Sequence, residues 1–393
     1  MECDEARPEC DRCKTRGLEC SYQEWVPKYQ ARVNENESSA GSSKTLAERS
    51  NTTAEIEEGV VSETDLAHHY ISHTSKTLAA TSSQEVQSHS WCVVVPALAV
   101  TSTAVRSGML ALAACHMYVQ APRDANEEKA VLLRAAYSLY NKCLRESGQQ
   151  LQKLDQIEYV DAIVSTARIL FALGLAFCQI ERRFGKSLAD SECWVWLPLL
   201  RGNFAVANAV EGSGLSDEAL LHREDMTPEI VPETPHEIRA MTPEDERLEP
   251  PRTLAFLRRA RVASLHSLRS TLAESMTAIS DDRWMQYSKA VDLLDEVMAY
   301  TCTSPRVRSY IRLIFIWPLQ VPLDFSEALP QGDKFALILY AHWLMLTVLL
   351  QDVWIVGDMG RAGIFEIVAR SGEWSEDEQD LLLWPRRLLS VNL

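Results

Sequence analysis

Fifteen consecutive residues, Ala336 to Leu350, contain no charged side chain. A helix of this composition is apolar on every side, so it can be stable only at the centre of a core that surrounds it. The run is shorter than the ~20 residues that a membrane-crossing helix requires. Asp333, Lys334 and Gln351 flank it closely, and His342 lies inside it. A second apolar stretch, 163–180, carries Arg168 in its middle. Both read as buried helices, and no membrane span is expected. The opening residues, Met-Glu-Cys-Asp-Glu-Ala-Arg, lack the apolar stretch of a secretory signal. A chain expected in a reducing compartment does not use its cysteines as a disulfide framework.

The rest of the pattern is helical as well. Leu133, Tyr137, Tyr140 and Leu144 step by four, three and four residues, and Trp284, Tyr287, Val291, Leu294 and Met298 repeat the pattern. Trp91 to Val119 is almost continuously apolar, and ordered structure is expected to begin near Thr64. Strand alternation and hairpin dipeptides are nearly absent, so the fold class is all-α. Ser375-Glu-Asp-Glu378 has the form of a capping box opening a last helix, expected to stop before Pro385.

The helical pattern is interrupted twice. Residues 23–63 are rich in Glu, Asn, Ser, Thr and Ala and read as a flexible polar linker. Residues 211–252 hold six prolines, twelve acidic and four basic side chains, a net −8 that is half of the chain's −16. Prolines at this density prevent a continuous helix, so this segment reads as an acidic insertion between two helical halves. After it, Arg252, Arg258, Arg259, Arg261 and Arg269 alternate with leucines in an amphipathic helix whose charged face is expected to be solvated.

Four of the ten cysteines fall within the first 20 residues: Cys3, Cys10, Cys13 and Cys20, spaced C-x6-C-x2-C-x6-C. Thiolates at short, turn-compatible spacing are what a tetrahedral zinc site needs, since each Zn–S bond is only about 2.3 Å. Pro8 and Gly17 lie in the two longer gaps, where the chain must reverse. Nothing else in residues 1–22 could build a core. The other six cysteines, such as Cys115, Cys143 and Cys178, sit singly in apolar runs and read as small core residues.

The stretch Cys3-Asp-Glu-Ala-Arg-Pro-Glu-Cys10-Asp-Arg-Cys13-Lys-Thr-Arg-Gly-Leu-Glu-Cys20-Ser-Tyr22 resembles the second part of the fungal six-cysteine binuclear zinc cluster. The resemblance implies zinc as cofactor, with Cys3, Cys10, Cys13 and Cys20 as ligands and Cys10 in a bridging position. It also implies docking of a transcription factor in the major groove of promoter DNA. The family's first C-x2-C and its basic helix have no counterpart here. Arg7, Arg12, Lys14 and Arg16 are the remaining candidates for DNA contact, and six acidic residues outnumber them within 1–22. Lysine and arginine contacts to phosphate supply most non-specific affinity, so DNA binding is expected to be weakened or lost. The chain reads as an N-terminal truncation of a longer protein, with a genuine short form as the alternative.

Two further stretches extend the resemblance over about 64–390. The first holds Leu66-Ala-His-His-Tyr70, Trp91 to Pro96 and Leu110 to His116. The second holds Trp317-Pro318, Val321-Pro322, Phe325, Leu329-Pro330, Ala336 to Trp343, Trp354, Gly357 and Gly360, and closes with Trp374 and Trp384-Pro385. Their order is similar to the all-α regulatory domain of the sterol uptake control group, with Val353-Trp354 where many relatives carry a tryptophan pair. The resemblance implies a regulator of RNA polymerase II genes for sterol or lipid homeostasis or for a secondary-metabolite pathway. A nuclear location, with shuttling to the cytoplasm, follows from it. So do a homodimer and a sterol or other hydrophobic ligand as partners, and a glycine-bearing loop beside the ligand pocket. The expected organisation is 1–22 partial zinc module, 23–63 linker and 64–390 regulatory domain.

Two other classes compete. A short regulator that does not bind DNA would sense a lipid or pair with full-length relatives. An all-α enzyme, such as a terpene cyclase, would need clustered carboxylates for magnesium. Asp281-Asp282 is the one tempting pair, and position 285 is Met. His68, His69 and His73 could ligate a metal and His342 could act as a base, but satisfied core histidines are the simpler reading. Gly357, Gly360 and Gly363 follow no strand, so a phosphate loop is a poor reading. No catalytic residue is assigned, and no enzyme is expected.

Overall fold

A proline inside a helix removes a hydrogen-bond donor, and the backbone carbonyl four residues earlier loses its partner. Pro318 does this within a helix spanning Tyr310–Gln320, leaving the Ile314 carbonyl without an intrahelical donor. The indole Nε1–H of Trp343 fills the gap, donating to that carbonyl at 2.7 Å. Trp343 belongs to the apolar run, and the helices assemble around this junction.

The computed structural model describes residues 61–80, 89–122, 124–154, 156–212, 252–274, 280–303 and 310–391, all within the unit Glu58–Leu393. Among the described residues there is helix and turn, and no strand. The described residues form fifteen α-helices, with short π and 3-10 turns between them. In order they are α1 (Glu63–His69), α2 (Ser75–Ala80), α3 (Val95–Thr101), α4 (Thr103–Gln120), α5 (Asn126–Leu151), α6 (Ile157–Arg183) and α7 (Trp196–Gly212). Then come α8 (Arg252–Glu274), α9 (Asp281–Thr303), α10 (Tyr310–Gln320), α11 (Leu323–Ala328), α12 (Lys334–Thr347), α13 (Met359–Arg370), α14 (Glu376–Leu381) and α15 (Leu383–Ser390).

The first half is built on α4, whose small residues Ala111, Ala113, Ala114 and Cys115 let α5 and α6 approach closely. Gln150, at the end of α5, donates to Ser102, the N-cap of α4, at 2.8 Å, so the pair is an antiparallel hairpin. The buried line of α5 is Leu132, Ala136 and Cys143. That is one position away from the 133–137–140–144 spacing seen in the sequence, because Tyr137 and Tyr140 lie at its edge and flank Phe177 of α6. Arg168, in the middle of α6, reaches Ser90 Oγ at 2.6 Å and lies over the Trp91 ring.

The second half opens with the α8/α9 hairpin. Arg258, Arg259 and Arg269 of α8 are exposed, as a solvated face requires, yet three arginines of this helix also bind α9. Arg258 donates twice to the Cys302 carbonyl, at 3.0 and 2.7 Å. Arg261 pairs with Asp295, and Arg269 with Asp292 and Asp295. Guanidinium forks suit carbonyl and carboxylate geometry, so these side chains fold onto α9 and pin the hairpin.

At the centre α12 starts at Asp333, whose carboxylate caps Ala336 N and accepts the Tyr287 hydroxyl at 2.7 Å. Every residue from Ala336 to Thr347 is buried, so the fully apolar run is the central helix that its composition demands. Trp343 stacks on Trp196 of α7 at 5.6 Å and 10°, on Trp317 of α10 at 6.0 Å and 22°, and on Tyr340 at 5.3 Å. Phe315 meets Trp196 and Trp343 edge-on. Arg201 of α7 reaches the Val321 carbonyl, just beyond the end of α10, at 2.8 Å, and also Ser326. One hydrophobic core joins both halves.

The last helices follow the caps. Ser375 and Glu378 form the capping box, and α14 ends at Leu381. The expected stop before Pro385 is only half of what occurs: a new helix, α15, starts at Leu383 with Pro385 in its first turn. A proline is tolerated there, since first-turn N–H groups have no intrahelical partner.

Replacing Trp343 by Phe strands the Ile314 carbonyl and leaves a gap in the stack. About 3–5 kcal/mol of stability should be lost in urea unfolding. Adding Pro318→Ala supplies a backbone N–H to the same carbonyl, so it should recover about 1 kcal/mol in the Trp343→Phe background and less in the parent. Equal effects of Pro318→Ala in both backgrounds would contradict this pairing.

Candidate functional site

The zinc-ligand candidates Cys3, Cys10, Cys13 and Cys20 lie outside the described residues, as do the DNA-contact candidates Arg7, Arg12, Lys14 and Arg16 and the segment 213–251. Four thiolates are a donor set that suits zinc, and they could hold one ion tetrahedrally.

Of the histidines singled out in the sequence, His69 and His73 are brought together beside His116, but not as a metal site. His68 faces outward and lies 3.4 Å from Ser72 Oγ. His69 and His73, one turn apart, have ring centroids 5.1 Å apart. His69 Nε2 lies 3.2 Å from Nδ1 of His116 on α4. Thr74 Oγ1 approaches the same Nδ1 at 3.0 Å, and the Gln120 side chain reaches Nε2 at 3.0 Å. Trp354 stacks over His116 at 4.8 Å and donates Nε1–H to Thr77 Oγ1 at 3.0 Å. This clasp ties the first helices to the turn after α12, 277 positions away in sequence. Among the described residues no group of three His, Cys, Asp or Glu side chains could hold a metal ion.

Burial and the neighbouring imidazoles His69 and His73 lower the His116 pKa to about 4, so His116 is neutral at pH 7. His342 sits in the central helix with Nδ1 2.8 Å from the Ile338 carbonyl and Nε2 without a partner among the described residues. Burial drives it down to about 4 as well, so it cannot serve as an accessible base. The pair Asp281-Asp282 forms the exposed first turn of α9, where carboxylates favour the helix dipole; no second carboxylate cluster faces it among the described residues.

The three glycines play two roles. Gly357 has φ +51° and sits where a Cβ would collide with the Gln179 side chain of α6. Gly360 and Gly363 lie within α13, where a Cβ would stand 2.5 Å from Thr347 Oγ1 and 2.6 Å from Leu344 Cδ1. Only Gly357 belongs to a turn; the other two let α13 cross α12 at close range. Sequence spacing alone could not separate a loop triplet from this crossing.

Comparison with known proteins finds two family matches. Residues 1–29 match the fungal Zn(2)-Cys(6) binuclear cluster domain, and residues 65–222 match the fungal specific transcription factor domain. No curated protein and no solved structure matches the chain. A zinc-binding DNA-recognition module followed by an all-α regulatory body defines a transcription regulator. More particularly, the two matched domains together support a fungal transcription factor with a Zn(2)-Cys(6) cluster domain. Its cluster domain is of the zinc-binding, DNA-binding kind, and factors of this kind are typically nuclear and generally not enzymes. One helix, within Glu158–Arg183, is long and apolar enough to cross a membrane, and 83% of its apolar window is buried in the core.

Both His116 and His342 take up protons more readily in the unfolded chain, near pH 6.5, than in the fold, near 4. Stability is therefore full above about pH 6.5 and falls as pH drops toward 4. The urea midpoint should decline across that window. His342→Leu removes one titrating group and an unpaired nitrogen, so it should flatten the decline and cost under about 1.5 kcal/mol at pH 7. An unchanged pH profile in His342→Leu would refute the assignment.

Proposed function

We propose that this transcription factor regulates RNA polymerase II genes through its zinc-cysteine cluster, in which Cys3, Cys10, Cys13 and Cys20 are ligands. The observation that carries the reading is the presence of both domain matches in one chain, at 1–29 and 65–222. Arg7, Arg12, Lys14 and Arg16 supply the phosphate contacts, and the six acidic neighbours keep them weak. The working boundaries are a zinc module at 1–22, a linker at 23–63 and a regulatory domain at 64–390 with the acidic insertion 211–252. A single core spanning both sides of that insertion supports one domain. The chain has no catalytic activity of its own and shuttles between nucleus and cytoplasm.

Resemblance to the sterol uptake control group supports genes of sterol or lipid homeostasis, with a secondary-metabolite pathway as the alternative set. It also supports a homodimer and a hydrophobic ligand. A second reading, a regulator that acts through partner chains without reading DNA, is favoured by the net −2 of residues 1–22.

Elemental analysis of the chain should find about one zinc, lost in Cys10→Ser. Promoter binding should be weak, with log affinity falling against log salt no more steeply than about −4, as four phosphate contacts allow. Zinc without measurable DNA binding would favour the second reading. The absence of zinc in the parent chain would refute the four-thiolate site.

A further inference from the structure

Two of the scattered cysteines, 15 residues apart in sequence, come together. Cys178 lies near the end of α6, and Cys193 in the 3-10 turn Ser191–Trp194 that leads into α7. The Cys178 thiol donates to the Cys193 carbonyl oxygen at 3.3 Å, and the two thiol side chains are themselves in hydrogen-bonding contact. We propose that Cys178 and Cys193 are a redox-active dithiol that closes to a disulfide under hydroperoxide, a regulatory modification site within the helical body.

The surroundings distinguish the two sulfurs. The hydrogen-bonding contact with Cys178 and the guanidinium of Arg182 favour the Cys193 thiolate, and its pKa is lowered. That same contact and burial push Cys178 up. Glu366 of α13 and Asp190 oppose the Cys193 anion, and the Tyr340 hydroxyl shares the cluster. The Cys178 proton is held by the Cys193 carbonyl, so Cys193 is the attacking sulfur and Cys178 the resolving one. The other buried thiols, Cys115, Cys143 and Cys302, are all raised by burial, and none is paired with a second thiol among the described residues.

The chemistry balances. The Cys193 thiolate attacks the terminal oxygen of a hydroperoxide, the O–O bond breaks, and the alcohol leaves with a proton, giving a sulfenic acid. The Cys178 sulfur then attacks the Cys193 sulfur, the S–O bond breaks, and water leaves with the Cys178 proton. Two thiols and one hydroperoxide become a disulfide, an alcohol and water.

The bond would fasten residues 184–195 to α6. That segment already touches the second half of the fold: the Leu188 amide donates to Glu366 at 2.6 Å, and Arg182 and Arg370 bracket the same carboxylate. Both sulfurs are almost fully buried, so the oxidant gains entry when this segment opens. Gly185, at φ +84°, gives it a turn at its start.

The test treats the native full-length chain with hydrogen peroxide, blocks remaining thiols after denaturation, and maps peptides without reduction. The expected product is a Cys178–Cys193 disulfide formed about tenfold faster than any loss at Cys115, Cys143 or Cys302, and reversed by dithiothreitol. In Cys178→Ser a sulfenic acid at Cys193 should be trapped by dimedone; in Cys193→Ser the Cys178 peptide should stay reduced. Circular dichroism of both variants guards against misfolding as the cause. Oxidation at rates equal to those of the three isolated buried thiols, or pairing of either sulfur with another cysteine instead, would overturn the proposal.

Discussion

The contact between the Trp343 indole and the Ile314 carbonyl decides where the helices can go. Pro318 creates a buried acceptor in an apolar environment, and an unpaired carbonyl there costs about 1–3 kcal/mol. One indole nitrogen satisfies it, and that requirement fixes the rotation of α12 against α10. Once Trp343 is set, Trp196, Trp317 and Tyr340 can stack on it, and Phe315 and Phe325 extend the contacts edge-on. Aromatic pairs add about 0.5–1.5 kcal/mol each beyond burial, so the cluster holds far more than a single hydrogen bond. It also joins residues from both sides of the 213–251 segment.

The architecture was legible where composition leaves one option. A run such as Ala336–Leu350 has no polar face, so its burial and centrality follow from the residues alone. The Ser375 capping box was equally plain. What the sequence could not show was the partner of a side chain. The α8 arginines have the spacing of a solvated face, and only the position of α9 reveals that Asp292, Asp295 and the Cys302 carbonyl receive them. The roles of the glycine triplet and the restart of helix at Leu383 were not legible for the same reason: each depends on what lies across from it. Cys193 carried no signal, because its meeting with Cys178 depends on the turn after α6.

Function rests on different grounds in the two parts of the chain. The zinc-thiolate reading rests on spacing and donor chemistry in residues 1–22. The regulatory body rests on a packed fold whose family match ends at residue 222, while its core continues to Leu388. The clasp of His69, His116, Thr77 and Trp354 and the Arg182–Glu366 pair bind the matched region to the unmatched one. The regulatory domain is thus a larger object than the matched segment, and any signal it carries acts on a body that shares one core.

That shared core is the central claim, and calorimetry of the chain beside a fragment of residues 62–212 tests it most directly. The account predicts a single unfolding transition of the helical body, with calorimetric and van't Hoff enthalpies in agreement. The fragment, lacking the partners of Trp196 and Arg182, should show no cooperative transition. A fragment that unfolds cooperatively on its own, or two separate transitions in the body, would contradict it.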